Sequence, residues 1–167
     1  MNTTIRWLVQ RDMADVVDME RDSYEYPWSE ADFINALRQC GCIGIVAEQR
    51  RSVVAFCIYE VRRREIEVLN LAVTQDVRRT GVGCRLIDSL KEKLSARSRR
   101  ELVAIVGDDS LDTHHFLKDQ GFTATSVLKE YFAPDGGDAY VMRYCINNTA
   151  PAFLGRSRIS QYFDIEA

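Results

Sequence analysis

The sequence has little histidine, no zinc-spaced cysteine, no long apolar run and no excess of one charge. Its two histidines and five cysteines (positions 40, 42, 57, 84 and 145) form no CxxC pair and no Cys/His set at zinc spacing, so no metal is expected. The odd cysteine count, with Cys57 and Cys145 inside apolar runs, reads as small core residues in a reducing cytoplasm rather than a disulfide framework. No stretch of about 18 apolar residues and no N-terminal apolar segment occurs, so neither a membrane nor secretion is expected. With 22 Lys and Arg against 25 Asp and Glu the net charge is −3, and the pI is near 5.5. Such a balance argues against a protein that coats nucleic acid, and no nucleic-acid partner is expected. The clusters Arg50-Arg51, Arg62-Arg63-Arg64 and 97–100 read as solvated turns and helix ends.

What is present describes an ordinary globular chain. It has 167 residues, 46% hydrophobic and 28% charged, enough for one compact domain with a sizeable core. A strand is expected at 3–9. A helix follows over 12–23, with Asp12 as its N-cap and Met13, Val16, Val17 and Glu20 at helical spacing. An aromatic loop, Tyr24 to Trp28, precedes a second helix that opens on the capping pair Ser29 and Asp32. Strands are expected at 43–48, 53–61 and 66–73. Val82, Leu86, Ile87, Leu90 and Leu94 then repeat with a 3.6-residue period as an amphipathic helix. A short strand at 102–106 and a helix at 111–120, stopped by Gly121, follow. Strands at 122–132 and 139–146 flank the turn Pro134-Asp135-Gly136-Gly137. The order predicts a mixed α/β (α+β) fold: a mostly antiparallel central sheet with helices on both faces and one parallel strand–helix–strand unit through Gly81. The domain is expected to span 1–146, with 147–167 as a tail.

The most informative stretch runs Asn70-Leu71-Ala72-Val73, then Arg78-Arg79-Thr80-Gly81-Val82-Gly83-Cys84. A strand passes through a short turn into a helix whose first turn carries two glycines. Helix N-termini offer unpaired amides and a partial positive charge, so this arrangement suits a pyrophosphate. No Gly-Lys-Ser/Thr follows, which excludes a Walker A loop, and the third glycine of a dinucleotide fingerprint is missing.

Arg78-x-x-Gly81-x-Gly83, after a strand and before a Leu/Ile-rich helix, resembles the Q/R-x-x-G-x-G/A motif of the GNAT N-acetyltransferases. The likeness covers roughly residues 3–146 and includes the Gly121-Phe122 pair. Tyr26-Pro27-Trp28-Ser29 with Phe33, Asn70 to Val73, and Asp138-Ala139 with Met142 are similar to the branch that acetylates ribosomal-protein alanine. The resemblance implies an acetyl-coenzyme-A-dependent enzyme acting on a primary amine, with a protein N-terminus as the acceptor. It also implies that Leu71, Ala72 and Val73 bond the pantetheine arm and that residues 78–84 bind the pyrophosphate. Ser110 stands where the family has a coenzyme-A-touching Asn. Tyr26 and Trp28 would line the acceptor entrance.

At three functional positions the chain departs from that branch: Ile105 replaces its basic Glu, Leu117 its proton-donating Tyr, and Ser110 the Asn. These losses keep two other readings open, a small-amine acetyltransferase and a coenzyme-A-binding module with weak or no catalysis. Acetyl transfer needs a neutral amine and a proton for the leaving thiolate. Glu67 is the candidate base, since Glu65 lies nearer the arginine turn and positions 67, 69, 71 and 73 share a face until a bulge intervenes. Both glutamates can also be read as solvated carboxylates. Tyr131, expected on a strand near the acceptor, is the second catalytic candidate, or an ordinary hairpin aromatic. His114 and His115 read as surface residues unless one turns to the thioester.

Overall fold

The computed structural model describes residues 2–131 and 137–146. One seven-stranded sheet runs in the order β1-β2-β3-β4-β5-β7-β6. Its strands are β1 (Thr4–Trp7), β2 (Cys42–Gln49), β3 (Ser52–Val61), β4 (Glu65–Val73), β5 (Glu101–Gly107), β6 (Thr123–Leu128) and β7 (Ala139–Cys145). The helices are α1 (Met13–Ser23), α2 (Glu30–Leu37), α3 (Val82–Lys91) and α4 (Leu111–Asp119). Among the described residues only β4 and β5 pair in parallel, across the crossover through α3; every other neighbour is antiparallel.

The core lies in two layers. On one face α3 presses Val82, Leu86, Ile87 and Leu90 against Cys57, Tyr59, Ile66 and Leu102. On the other, α1 and α2 bring Met13, Val16, Met19 and Phe33 onto Val46, Phe56 and Ile58. The central strands are thus buried on both faces, each fully buried Leu, Ile or Phe contributing about 1.5–3 kcal/mol. Ser29 and Asp32 form the expected capping box, the Asp32 N–H donating to Ser29 Oγ at 3.2 Å and the Ser29 N–H to Asp32 Oδ2 at 2.8 Å. Asp12 is no side-chain cap for α1: a short 3-10 turn (Gln10–Asp12) precedes the helix, and the carboxylate pairs with Arg6 at 2.6 and 2.9 Å.

Two irregularities of β4 open the middle of the sheet. Ile58 faces Asn70 and Tyr59 faces Val68, so Leu69 is an extra, bulged residue. Leu71 and Val73 pack on the α3 face together with Ile66 and Val68, while Asn70 and Ala72 lie on the α1 face. Glu67, between Ile66 and Val68, belongs to the α1 face as well. The expected shared face of 67, 71 and 73 is therefore overturned by the bulge. Second, β4 and β5 pair only from Glu65↔Glu101 to Val68↔Ala104. From Leu69 onward β4 has lost β5, whose last residues pair with β7 alone.

β6 ends at Leu128, so Tyr131 sits in the turn after the strand, not on it. Of the expected turn, Pro134, Asp135 and Gly136 lie outside the described residues, as do Phe132 and the 147–167 tail.

Candidate functional site

The gap between β4 and β5 exposes main-chain groups. The Thr74 N–H donates to Val54 O at 3.0 Å, which fixes the antiparallel alternation along β3 and β4. Ala72, opposite Phe56, turns its N–H and C=O toward β3, whereas Leu71 and Val73 turn theirs into the gap. Of the three residues expected along a pantetheine arm, Ala72 is thus the one whose backbone is already engaged. Side chains cover both outward carbonyls. Leu71 O accepts from Tyr24 Oη at 2.5 Å, and Val73 O accepts from Arg78 Nε at 3.0 Å. Arg78 also donates through Nη2 to Ser23 Oγ at 3.3 Å, so its side chain braces the strand end.

β4 then delivers the chain to α3. Gly81 is the N-cap, left-handed at φ +87°, and no side chain caps the helix. A Cβ at Gly81 would meet nothing within 4 Å, so the approach to these amides is open. Arg85 N–H is bonded to Gly81 O at 3.1 Å, and the amides of Val82, Gly83 and Cys84 precede it without intrahelical acceptors. Arg79 is also left-handed, at φ +62°. Gly83 serves packing: a Cβ there would lie 3.3 Å from Phe116 Cζ and 3.5 Å from Val73 Cγ2, so its smallness lets α4 close on α3. Thr80 Oγ1 donates to Val77 O at 2.7 Å, and Cys84 Sγ accepts from Gln120 Nε2 at 3.2 Å. Across the groove, Arg79 pairs with Asp112 of α4 at 3.2 Å, both nearly fully exposed. Ser110 is the residue at the N-terminus of α4, its hydroxyl on Asp109 at 3.1 Å.

On the α1 face, Glu67 has a side chain only 10% exposed, with Arg62 Nη2 2.5 Å from Oε2 as an ion pair lacking hydrogen-bond alignment. Burial raises its carboxyl above the usual range, against the pull of Arg62, and the nearby Glu60 and Glu65 charges add to the rise. Glu65 pairs with Arg143 at 3.0 Å and more loosely with Arg62 at 3.6 Å. Arg62 therefore stands closer to Glu67 than to Glu65, the reverse of the expected contrast. Leu117 is buried in the apolar core, and Ile105 is half-buried on β5. His114 Nε2 lies 2.8 Å from Gly107 O, with the ring edge-on to Tyr140. Tyr26 is 84% exposed. Trp28 packs edge-on against Phe33, itself edge-on to Phe56, and so anchors its loop.

One residue had shown only as part of a helical stripe. Glu20 is buried, and its Oε1 accepts from the Trp28 N–H and from Asn70 Nδ2, both at 3.0 Å. It thus ties the aromatic loop to β4, and burial raises its carboxyl above the ordinary range. The available signal was a charged residue at the apolar spacing 13, 16, 20.

An open strand edge leading into an uncapped helix N-terminus suits a long amide-bearing thioester that ends in a pyrophosphate. Such a site defines a coenzyme-A-dependent acyltransferase. The chain belongs to the acetyltransferase (GNAT) family, whose model matches residues 13–122. Over 141 residues it is 26% identical to the [ribosomal protein bS18]-alanine N-acetyltransferase of Escherichia coli (strain K12), covering 83% of this chain and 95% of that protein. The crystal structure of the ribosomal-protein-S18-alanine N-acetyltransferase from Escherichia coli shares the fold at a TM-score of 0.77 and 24% identity, covering 92% of this chain and 99% of that one. Arabidopsis thaliana NAA60 in complex with a bisubstrate analogue shares it at 0.76 and 16% identity, covering 87% and 99%. The protein is thus an N-acetyltransferase that uses acetyl-coenzyme A. Among the described residues no helix is long and apolar enough to cross a membrane.

Proposed function

We propose that this protein transfers an acetyl group from acetyl-coenzyme A to the α-amine of a protein N-terminus. The observation that carries the reading is the parting of β4 from β5 at Leu69, directly ahead of the uncapped α3. Leu71 and Val73 would bond the amide-bearing arm along the open edge. The backbone from Arg79 to Cys84 would hold the pyrophosphate, chiefly through the amides of Val82, Gly83 and Cys84, with the arginine charges of the turn drawing it in. Ser110 would border the same groove from α4.

Acetyl-coenzyme A supplies the activated acyl carbon and the thiol leaving group. The residues of this chain do the rest. Glu67, raised by burial, would take the amine proton through water, and exposed Tyr26 would meet the acceptor beside the anchored Trp28. Tyr131, in the turn after β6, would be the second catalytic side chain, and the domain over 1–146 would carry the whole site. The protein acceptor is supported by the name of the Escherichia coli relative, an alanine N-acetyltransferase of ribosomal protein bS18.

Apolar Ile105 and Leu117 favour a second reading, a coenzyme-A-binding module with weak catalysis. Release of free thiol from acetyl-coenzyme A, followed with N-terminal peptides, with small amines and with no acceptor, separates the readings. Peptide-dependent release is expected. Release with small amines alone would overturn the protein-acceptor assignment, and none at all would leave the module.

A further inference from the structure

Leu117 sits in an apolar core and Ile105 carries no proton, so neither can stabilise a departing thiolate. The gap nevertheless holds a hydroxyl. At Tyr24 the chain leaves α1 in an extended conformation (φ −128°, ψ 143°), its N–H still bonded to Glu20 O at 3.1 Å. This geometry swings the phenol over β4, where Oη donates to Leu71 O at 2.5 Å. Leu71 is one of the two residues whose main-chain groups face the gap. The hydroxyl therefore stands on the strand edge along which the thioester arm would lie. The residue is 42% exposed overall, with Oη turned onto β4. Burial first, then the Glu20 charge, pushes the phenol up to about 12, with Cys57 adding to the rise and Arg78 opposing it. The group stays protonated across the working range of an amine acetylation, as a donor must.

We infer that Tyr24 is a catalytic residue, its Oη–H donating a hydrogen bond to the sulfur of the leaving coenzyme A in place of the tyrosine that Leu117 lacks. This rests on the reading of the gap as the acyl-transfer site. The nitrogen–carbon bond forms, and the carbon–sulfur bond breaks with its electron pair moving to sulfur. Tyr24 exchanges its hydrogen bond from Leu71 O to that sulfur, leaving the carbonyl for an incoming N–H. The proton lost by the amine equals the one the free thiol gains. An ordinary thiol has a pKa of about 8.5, below that of the phenol, so Tyr24 shares its proton without surrendering it.

The deciding measurement, a thiol titration, needs neither an acceptor nor turnover, so it fails independently of the protein-acceptor reading. Coenzyme A bound to the protein is titrated by its ultraviolet thiolate absorbance, in the wild type and in Tyr24→Phe. A charge-assisted hydrogen bond lowers the pKa of the bound thiol, and its loss is expected to raise that pKa by about one pH unit. A fluorinated tyrosine at position 24, a stronger donor on the same ring, is expected to lower it. Turnover of Tyr24→Phe with peptide should fall about tenfold while affinity for coenzyme A in its thiol form is kept. Identical thiol titrations in wild type and Tyr24→Phe would overturn the assignment. So would a loss of thiol-form affinity in Tyr24→Phe, which would make the hydroxyl a structural brace.

Discussion

Asn70 donates its side-chain amide to Glu20 at 3.0 Å, joining the strand that opens at the gap to the helix that leads into the aromatic loop. Glu20 Oε1 is shared with the Trp28 N–H, while Glu20 Oε2 and Asn70 Oδ1 are buried without a hydrogen-bonding partner. Glu20→Ala leaves two buried donors unmet and is expected to cost about 1–3 kcal/mol for each. Glu20→Gln keeps the accepting oxygen and should be far milder. The sign with pH follows from the raised carboxyl. Between the unfolded and folded pKa values the unfolded chain loses its proton first, so wild-type stability falls as pH rises through that window. Glu20→Gln lacks this term, so its stability relative to wild type should improve from acid to neutral pH. Denaturant melts across pH check this, and a difference flat with pH would count against a buried titrating carboxyl.

Gly81 separates backbone strain from anion binding. Its φ of +87° is left-handed, yet a Cβ would enter empty space. Gly81→Ala should cost roughly 1–2 kcal/mol in stability and keep coenzyme A affinity within about tenfold. Gly81→Glu adds a carboxylate where the pyrophosphate would rest and should abolish binding in calorimetry. Equal affinities for the two variants would remove the cradle from this turn.

Gly83, two residues on, should behave differently because it faces Phe116 and Val73. Gly83→Val overpacks the contact between α3 and α4, at about 1–3 kcal/mol. Phe116→Leu should recover part of that loss in a double-mutant cycle, with a coupling of roughly 0.5–3 kcal/mol. Thermal melts of the four proteins measure it; simple additivity would mean that the two side chains do not meet.

How much of this was legible in the sequence depends on the range of each interaction. The α3 helix was legible because a 3.6-residue period is a local feature, but of the two glycines expected in its first turn only Gly83 is helical, Gly81 being the left-handed N-cap. The parallel unit followed from the crossover rule, and the capping box of α2 from Ser29 and Asp32. The face of Glu67 was not legible, since one bulged residue, Leu69, reverses the parity for everything beyond it. Tyr24 and Leu71 are 47 positions apart, and Glu20 and Asn70 are 50 apart. No local pattern announces a tyrosine as partner of a distant carbonyl, or a glutamate inside an apolar stripe as a loop anchor. The expected contrast in ion pairing between Glu65 and Glu67 failed because distance along the chain from the arginine turn does not measure distance to Arg62.

Arg62 provides the sharpest test of Glu67 as the base. A base must be deprotonated to work, so activity should fall as pH drops through its pKa. In the folded protein, burial raises the Glu67 carboxyl, while Arg62, with Nη2 2.5 Å from Oε2, pulls it down. Removing the cation with Arg62→Ala deletes the lowering contribution and leaves the desolvation and the repulsion from Glu60 and Glu65. The acidic limb of kcat/KM should therefore move to higher pH in Arg62→Ala, with the plateau rate above it largely kept. Glu67→Gln should lose that limb together with most of the rate, about 10²-fold or more for a general base. Arg62→Lys, which keeps a cation beside the carboxylate, should leave the limb near its wild-type position. A simple packing role for Glu67 would lower the rate in both arginine variants without moving the limb. An unmoved acidic limb in Arg62→Ala would return Glu67 to the status of an ion-paired carboxylate and leave the amine to shed its proton to solvent.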